Sequence, residues 1–470
     1  MTYDLIIRNG TVVDPANNRC GIFDVGIAAG RIAAVEREIP ASPSCKVYDA
    51  GGRLVMPGLV DTHVHLTPPR RSIGFKMLAQ AGVTTALDCS GLVPDIIEGM
   101  ARNGSGINVA VLNRLVPGDT VSVPNAGKTE IESFIERSLL EGALGIKLLG
   151  GHIPLTPEAT ANAIELANRQ RCYAAFHCGS TKNGSNLLGL QDALELTGEN
   201  HLHICHVNAY CRGYTHSSPV WESYIALREL AQRRRLVSES HIAPYNSCGA
   251  RLDASVPRSH VTRASLIAGG YDPTAEGLKE SVRNGHCKVQ RITETGVVYA
   301  DPEEGLALLQ RYNFEVMISF PVNHRSTAFL MATEKDNGGR FIVTALSTDG
   351  GGIPRNFLLS HGLSLVKFEA LTIEEFVTKS AWKPALMLGL HSKGHLGEGA
   401  DADIAVVDYE EQRADLVIAG GQIIAEQGEV MGMGGALVTT ERGRASLEAG
   451  NIHFKVTDLD TSLFYSALED

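Results

Sequence analysis

The sequence predicts an α/β fold: a (β/α)8 TIM barrel with a small β-sandwich formed from both chain ends. Three observations predict it. Apolar strand-like runs alternate with helical patterns over roughly 290 residues in the middle of the chain. The two ends carry similar strand pairs, YDLIIRNGTVV at Tyr3–Val13 and ADLVIAGGQII at Ala414–Ile424. An open doubly wound sheet would want a GxGxxG phosphate turn after its first strand, and none is there.

The first 55 residues read as short strands closing on Gly or Asp, as do ADIAVVD and ADLVIAGGQIIAEQGEVM near the other end. A two- or three-stranded unit is marginal alone in water, so the two ends are expected to build one sandwich. Between them the elements follow in order. IGFKMLAQAG is helical and VTTALDC a strand. INVAVLNRLV is a strand, IESFIERSLLEG a helix and ALGIKLLGG a strand. TPEATANAIELANRQ opens on a Thr-Pro helix start and leads to the strand CYAAFHC. LLGLQDALELTG precedes HLHICHV, and YIALRELAQRRR precedes LVSESHI. The expected domains are 1–55 plus 395–440 for the sandwich and 56–394 for the barrel. An irregular insertion around 208–314 is expected to cover the active face, and 441–470 to form a C-terminal extension.

The chain has 470 residues, 44% of them hydrophobic, and a formal net charge of −11. That balance argues against a nucleic-acid or anionic-membrane surface. No apolar run is long enough to span a bilayer, and the opening MTYDLIIRNG lacks the layout of a signal peptide, so a cytoplasmic location is expected. Nine cysteines without CxxC spacing fit reduced thiols.

Chemistry gathers where apolar strands end. VMPGLVDTHVHL closes on Asp61, His63 and His65. Residues two apart in a strand face the same way, so His63 and His65 point together at the carboxyl end of the first barrel strand, where barrel active sites lie. Paired imidazoles suit a divalent metal; a pair of hydrogen-bonded core histidines is the bland alternative. Lys147 lies in GALGIK, where a dry site is expected to lower its pKa and favour a carbamate; escape to the barrel rim is the other reading. His177 ends CYAAFH. In HLHICH, His206 lies nearest the carboxyl end and is preferred to His201 and His203. Asp349, in FIVTALSTDGGG, is placed as a general base. Arg212 and Tyr214 lie just past His206, where a substrate carboxylate could be gripped, or where a loop is simply solvated. Cys89 reads as a buried thiol. Arg258, His260 and His241 read as surface or structural.

PGLVDTHVH, GVTTALD, EGADADIAVVD and LTIEEFVTKSAWKPALMLGL together resemble the amidohydrolase superfamily over most of the chain. The resemblance implies a binuclear centre, two divalent ions taken as Zn2+. His63, His65 and Asp349 would hold the more buried ion and His177 and His206 the more exposed one. Lys147, N6-carboxylated, would bridge them. It also implies hydrolysis of a carbon–nitrogen bond other than a peptide bond, with Asp349 as general acid and base. GALGIK with its TPEA helix, and STDGGG, resemble the N-acyl-D-amino-acid deacylase and isoaspartyl dipeptidase group, many of whose deacylases bridge with a cysteine; LVSESHIAPYN resembles hydantoinase and dihydropyrimidinase. A linear N-acyl amino acid or related small amide is therefore the first expected substrate and a cyclic amide or imide the second. A catalytically silent assembly module of the same fold is the alternative of another class. Relatives often form dimers or tetramers, so a homo-oligomer is expected.

Overall fold

The computed structural model describes residues 2–67 and 71–466. Eight parallel strands form the barrel: β1 (Leu59–His65), β2 (Val83–Asp88), β3 (Ser105–Leu115), β4 (Gly145–Leu149), β5 (Tyr173–His177), β6 (Leu202–Ile204), β7 (Leu236–His241) and β8, broken into Ala345–Ser347 and Gly350–Gly351. The break in β8 closes the ring. Its first half pairs with β7, Ser240 opposite Leu346, and its second half with β1, Gly351 opposite His65. Asp349 sits at the break with φ +52°, so its side chain is aimed by a bend that an ordinary strand lacks.

The strands are almost wholly buried, as strands covered on both faces must be, and their polar residues concentrate in β1, β2 and β7. Three of the helices between them, starting after Thr156, Asn186 and Ser218, begin on a side-chain cap. Thr156 and Ser218 accept from the amides of Ala159 and Trp221, each followed by proline at the first helical position. The helix Lys128–Glu141 stops at Gly142, whose φ of +110° suits glycine. Three helices that the sequence pattern left unmarked, Val93–Asn103, Arg325–Thr333 and Leu358–Lys367, also flank the barrel strands.

Both chain ends do share one sheet. Five strands between Leu5 and Pro57 and four between Ile404 and Val430 form a single nine-stranded, mostly antiparallel sheet, joined where Leu54–Pro57 pairs with Ile404–Asp408. Val12, Ile27, Ile32, Val55, Val406 and Ile418 meet in one cluster, so the sheet folds over its own core. Met56, Ala405, Val407 and Val417 face the other way and pack on the barrel. Lys393, 1% exposed, fixes this junction with its ammonium 2.8 Å from Asp401 and 2.5 Å from Asp403.

The segment between β7 and β8, residues 242–344, carries its own small sheet of Cys248–Gly249, Met317–Ser319, Lys288–Ile292 and Val297–Tyr299, four helices, and a separate core around Leu266, Leu278, Val289 and Ile318. The irregular stretch expected at 208–314 also takes in the helix Pro219–Ala231 and β7, which belong to the barrel. The last residues pack as an arm: Phe464 stacks on Tyr173 with ring centroids 4.1 Å apart, and the Tyr465 hydroxyl donates to the Cys172 carbonyl. No helix among the described residues is long and apolar enough to cross a membrane.

Candidate metal centre

The carboxyl ends of the strands open into a cavity of about 310 Å³. His63, His65, Lys147, His177, His206 and Asp349 all line it, and so does Arg212. Tyr214 is not in its wall and stands 49% exposed. The rings of His63 and His65 lie 5.3 Å apart, those of His63 and His206 5.1 Å, and those of His177 and His206 4.3 Å. His65 Nε2 lies 2.7 Å from Asp349 Oδ1, and His63 Nε2 lies 3.6 Å from the same oxygen. His63, His65 and Asp349 thus offer donor atoms all within 4.8 Å of one another.

β1 works as the two-residue period predicts, with both imidazoles on one face. His206 gets there differently. It lies two residues beyond β6 in a left-handed conformation, φ +33°, so alternation along the strand does not aim it. His177 needs room: a Cβ on Gly151 would stand 1.9 Å from its Nε2, so only glycine fits against the ring.

Burial drives the imidazoles of His63, His177 and His206 well below the ordinary histidine range, and His65 below it despite its hydrogen bond to Asp349. They are neutral, the form in which histidine binds metal. Burial works against the Asp349 carboxylate, yet Arg355, 2.6 Å away, and the nearby imidazoles hold it well below the usual range. The buried Nδ1 atoms of His65 and His206 have no hydrogen-bond partner among the described residues. Neutral imidazoles, an ionised carboxylate and orphaned ring nitrogens around one cavity form a donor set that fits divalent ions.

Lys147 is 1% exposed and reaches the same cluster, its amine 3.4 Å from His63 Nε2 and 2.6 Å from Cys205 Sγ. The depressed amine expected from burial is not what its surroundings give. Burial does press it down, but Cys205, Cys89 and Glu239 outweigh that and raise it.

Three contributors escaped sequence reasoning. Glu239, fully buried in β7, lies 2.7 Å from Nδ1 of His63 and accepts from the His206 amide at 2.6 Å and from the Ser347 hydroxyl. Burial pushes it up to about 8 against those hydrogen bonds. Arg355 anchors Asp349 through both its carboxylate and its carbonyl. His241, read from sequence as surface or structural, instead ends β7, is 1% exposed and lines the cavity with its Nε2 4.0 Å from Asp349. Glu239 and His241 repeat the spacing of His63 and His65; that was the available signal. Cys89 is buried, and the thiol in contact with Lys147 is that of Cys205.

The amidohydrolase family model matches residues 291–434, a span that holds Asp349 and the late strands of the chain-end sheet. A dihydroorotase of Solibacter usitatus is 36% identical over 132 residues, 24% of this chain and 30% of that protein, so the chain spans under a third of its length. An allantoinase of Deinococcus radiodurans is 25% identical over 443 residues, 88% of each chain. The structure of N-acyl-D-glutamate deacylase from Bordetella bronchiseptica, complexed with zinc and a phosphonate inhibitor, superposes with a TM-score of 0.65 at 17% identity, covering 93% of this chain and 99% of that one. That last likeness shows a shared fold. Residues 291–434 match the amidohydrolase family model, and the fold and the barrel-mouth cluster agree with that match.

Proposed function

We propose that the protein is a metal-dependent hydrolase of a small-molecule carbon–nitrogen bond other than a peptide bond, with a linear N-acyl amino acid or related amide as its first substrate class. The observation that carries this reading is the meeting of His63, His65 and Asp349 within 4.8 Å, beside His177 and His206, on one cavity.

In this reading His63, His65 and Asp349 hold one divalent ion and His177 and His206 a second, with Zn2+ favoured by the imidazole-rich set. Lys147, carboxylated, would be a further ligand, carboxylation turning a buried cation into an anion. Such ions supply Lewis acidity and bring a bound water's pKa towards neutrality. The chain's own groups do the rest. Glu239 fixes the orientation of His63. Asp349, oriented by Arg355, takes a proton from the attacking water and returns it to the departing nitrogen. Arg212, tied by Nε and Nη2 to the neutral Asn323 Oδ1, grips a substrate carboxylate.

A cyclic amide is the second reading, favoured by the allantoinase match along 88% of each chain. A homo-oligomer and a cytoplasmic location belong to the same proposal. A screen of N-acyl-D- and N-acyl-L-amino acids beside hydantoins and dihydropyrimidines tests it, with zinc and bicarbonate present during expression. Hydrolysis of one class identifies it. No hydrolysis by zinc-loaded protein favours the silent assembly module.

A further inference from the structure

The barrel has a second cavity at its other end. It holds about 260 Å³ and lies against the amino ends of β7 and β8, with Leu236, Ser238 and Thr344 in its wall. Barrel chemistry belongs to the carboxyl ends of the strands, where the metal centre lies, so a ligand held here is not the substrate. The wall joins charge to an apolar platform. Arg233, Arg234, Arg340, Lys379 and Lys383 line it, and Asp336, bonded to Arg340 at 3.0 Å, is the one acid among the described lining residues. Leu230, Leu236 and the Phe341 ring give the same wall its apolar surface. The chain as a whole carries a net charge of −11, so five cations around one cavity run against its overall balance.

Lys379 is the anchor. It is wholly buried, in the π-helical turn Thr378–Trp382. Its amine donates to the Val343 carbonyl at 2.8 Å and lies 4.2 Å from the centre of the Phe341 ring. A lysine ammonium has three protons to donate, and that carbonyl takes one of them. Burial brings the amine down to about 7, with Lys335 adding to the fall and Glu375 opposing it. A packing role does not require the charge, since methionine fills a similar volume without the desolvation cost. An oxyanion in the cavity would restore the charged form and accept from it.

We propose that this cavity is a second ligand site, for a small organic oxyanion: a carboxylate or phosphate carried on an apolar body. Lys379, Arg233 and Arg234 hold the charged end, and Phe341 and Leu236 pack on the body. Most ligand sites enclose roughly 300–1,000 Å³, so this smaller one suits a metabolite and not a peptide. The site stands whether or not the metal centre hydrolyses an amide.

The chain supplies a reporter at this end of the barrel. Trp382 lies beside the cavity, its ring centre 5.4 Å from the Lys383 ammonium, and the other tryptophan is Trp221. Phenyl phosphate, benzoate and the neutral benzyl alcohol are titrated into zinc-loaded Trp221→Phe protein while Trp382 fluorescence is read. Oxyanions that bind zinc at the far end of the barrel leave this signal alone. A saturable change is expected with at least one anion, about 10-fold or more tighter than with benzyl alcohol, and the tighter anion tells carboxylate from phosphate. Lys379→Met should weaken that anion about 10- to 100-fold, while Lys379→Arg keeps part of the affinity. Arg234→Met, at an exposed position that leaves the core intact, should weaken it about threefold. No saturable change with either anion up to about 10 mM overturns the proposal. So does an equal response to benzyl alcohol, or an anion affinity that Lys379→Met and Arg234→Met both leave unaltered.

Discussion

Glu239 Oε1 lies 2.7 Å from Nδ1 of His63, and the pair joins β7 to β1 across the barrel interior. The contact fixes which nitrogen of His63 points at the cavity: Nδ1 is engaged, so Nε2 turns to Lys147 and Asp349. Carboxylates that hold a ligating histidine in this way govern metal affinity without touching the metal. Glu239→Gln is therefore expected to weaken metal binding about 10- to 100-fold. Competition against a chromophoric chelator measures it; an unchanged affinity would show that Glu239 is packing only.

Asp349 combines a strained backbone, an anchoring arginine and a carboxylate kept ionised. Asp349→Asn should lower kcat by about 10²- to 10⁴-fold, the usual loss when a positioned proton carrier is removed. Unaltered turnover in steady-state assays takes Asp349 out of the reaction.

Lys147 has a more drastic expectation. Lys147→Ala removes the amine that would carry the carbamate and leaves the Cys205 thiol without its neighbour at 2.6 Å. Activity should fall to background, with partial return when a short carboxylic acid or bicarbonate is added. Full activity in the variant ends the carbamate assignment.

The junction between sheet and barrel is tested by Lys393. Removing one partner of a buried ion cluster strands the rest, so Lys393→Met should destabilise the fold by about 3–5 kcal/mol in urea unfolding. A loss below about 1 kcal/mol would mean that Asp401 and Asp403 find other partners. The same cluster sets an acid limit. Lys393 and Lys455 hold Asp401 at about 2 against its ordinary 3.8 despite burial. A depressed carboxyl contributes stability above the unfolded value and loses it as pH falls through the folded one. The wild type should therefore lose this contribution between about pH 4 and 2, and Lys393→Met should lose much less over that window.

The barrel was readable because eight apolar runs recur between capped helices, and the metal donors because most stand at or just past the ends of those runs. The two-residue period aims His63 and His65 directly. It fails at His206, where the chain has already left β6 for a left-handed turn, and strand position rather than facing made the choice. It holds again at Glu239 and His241, but β7 runs straight into the irregular segment, where the pattern of an inward strand face is lost. Arg71 and Arg355 lie outside any periodic pattern, so only folding brings them to the cavity. The insertion resisted reading because its strands are two to five residues long and pair with partners far along the chain.

The central claim is that four imidazoles, Lys147 and Asp349 hold two divalent ions. Anomalous diffraction at the zinc edge from crystals of zinc-loaded protein tests it most directly. The account predicts two peaks at the barrel mouth, one against His63, His65 and Asp349 and one against His177 and His206. A fully loaded crystal with no peak among these side chains would contradict it.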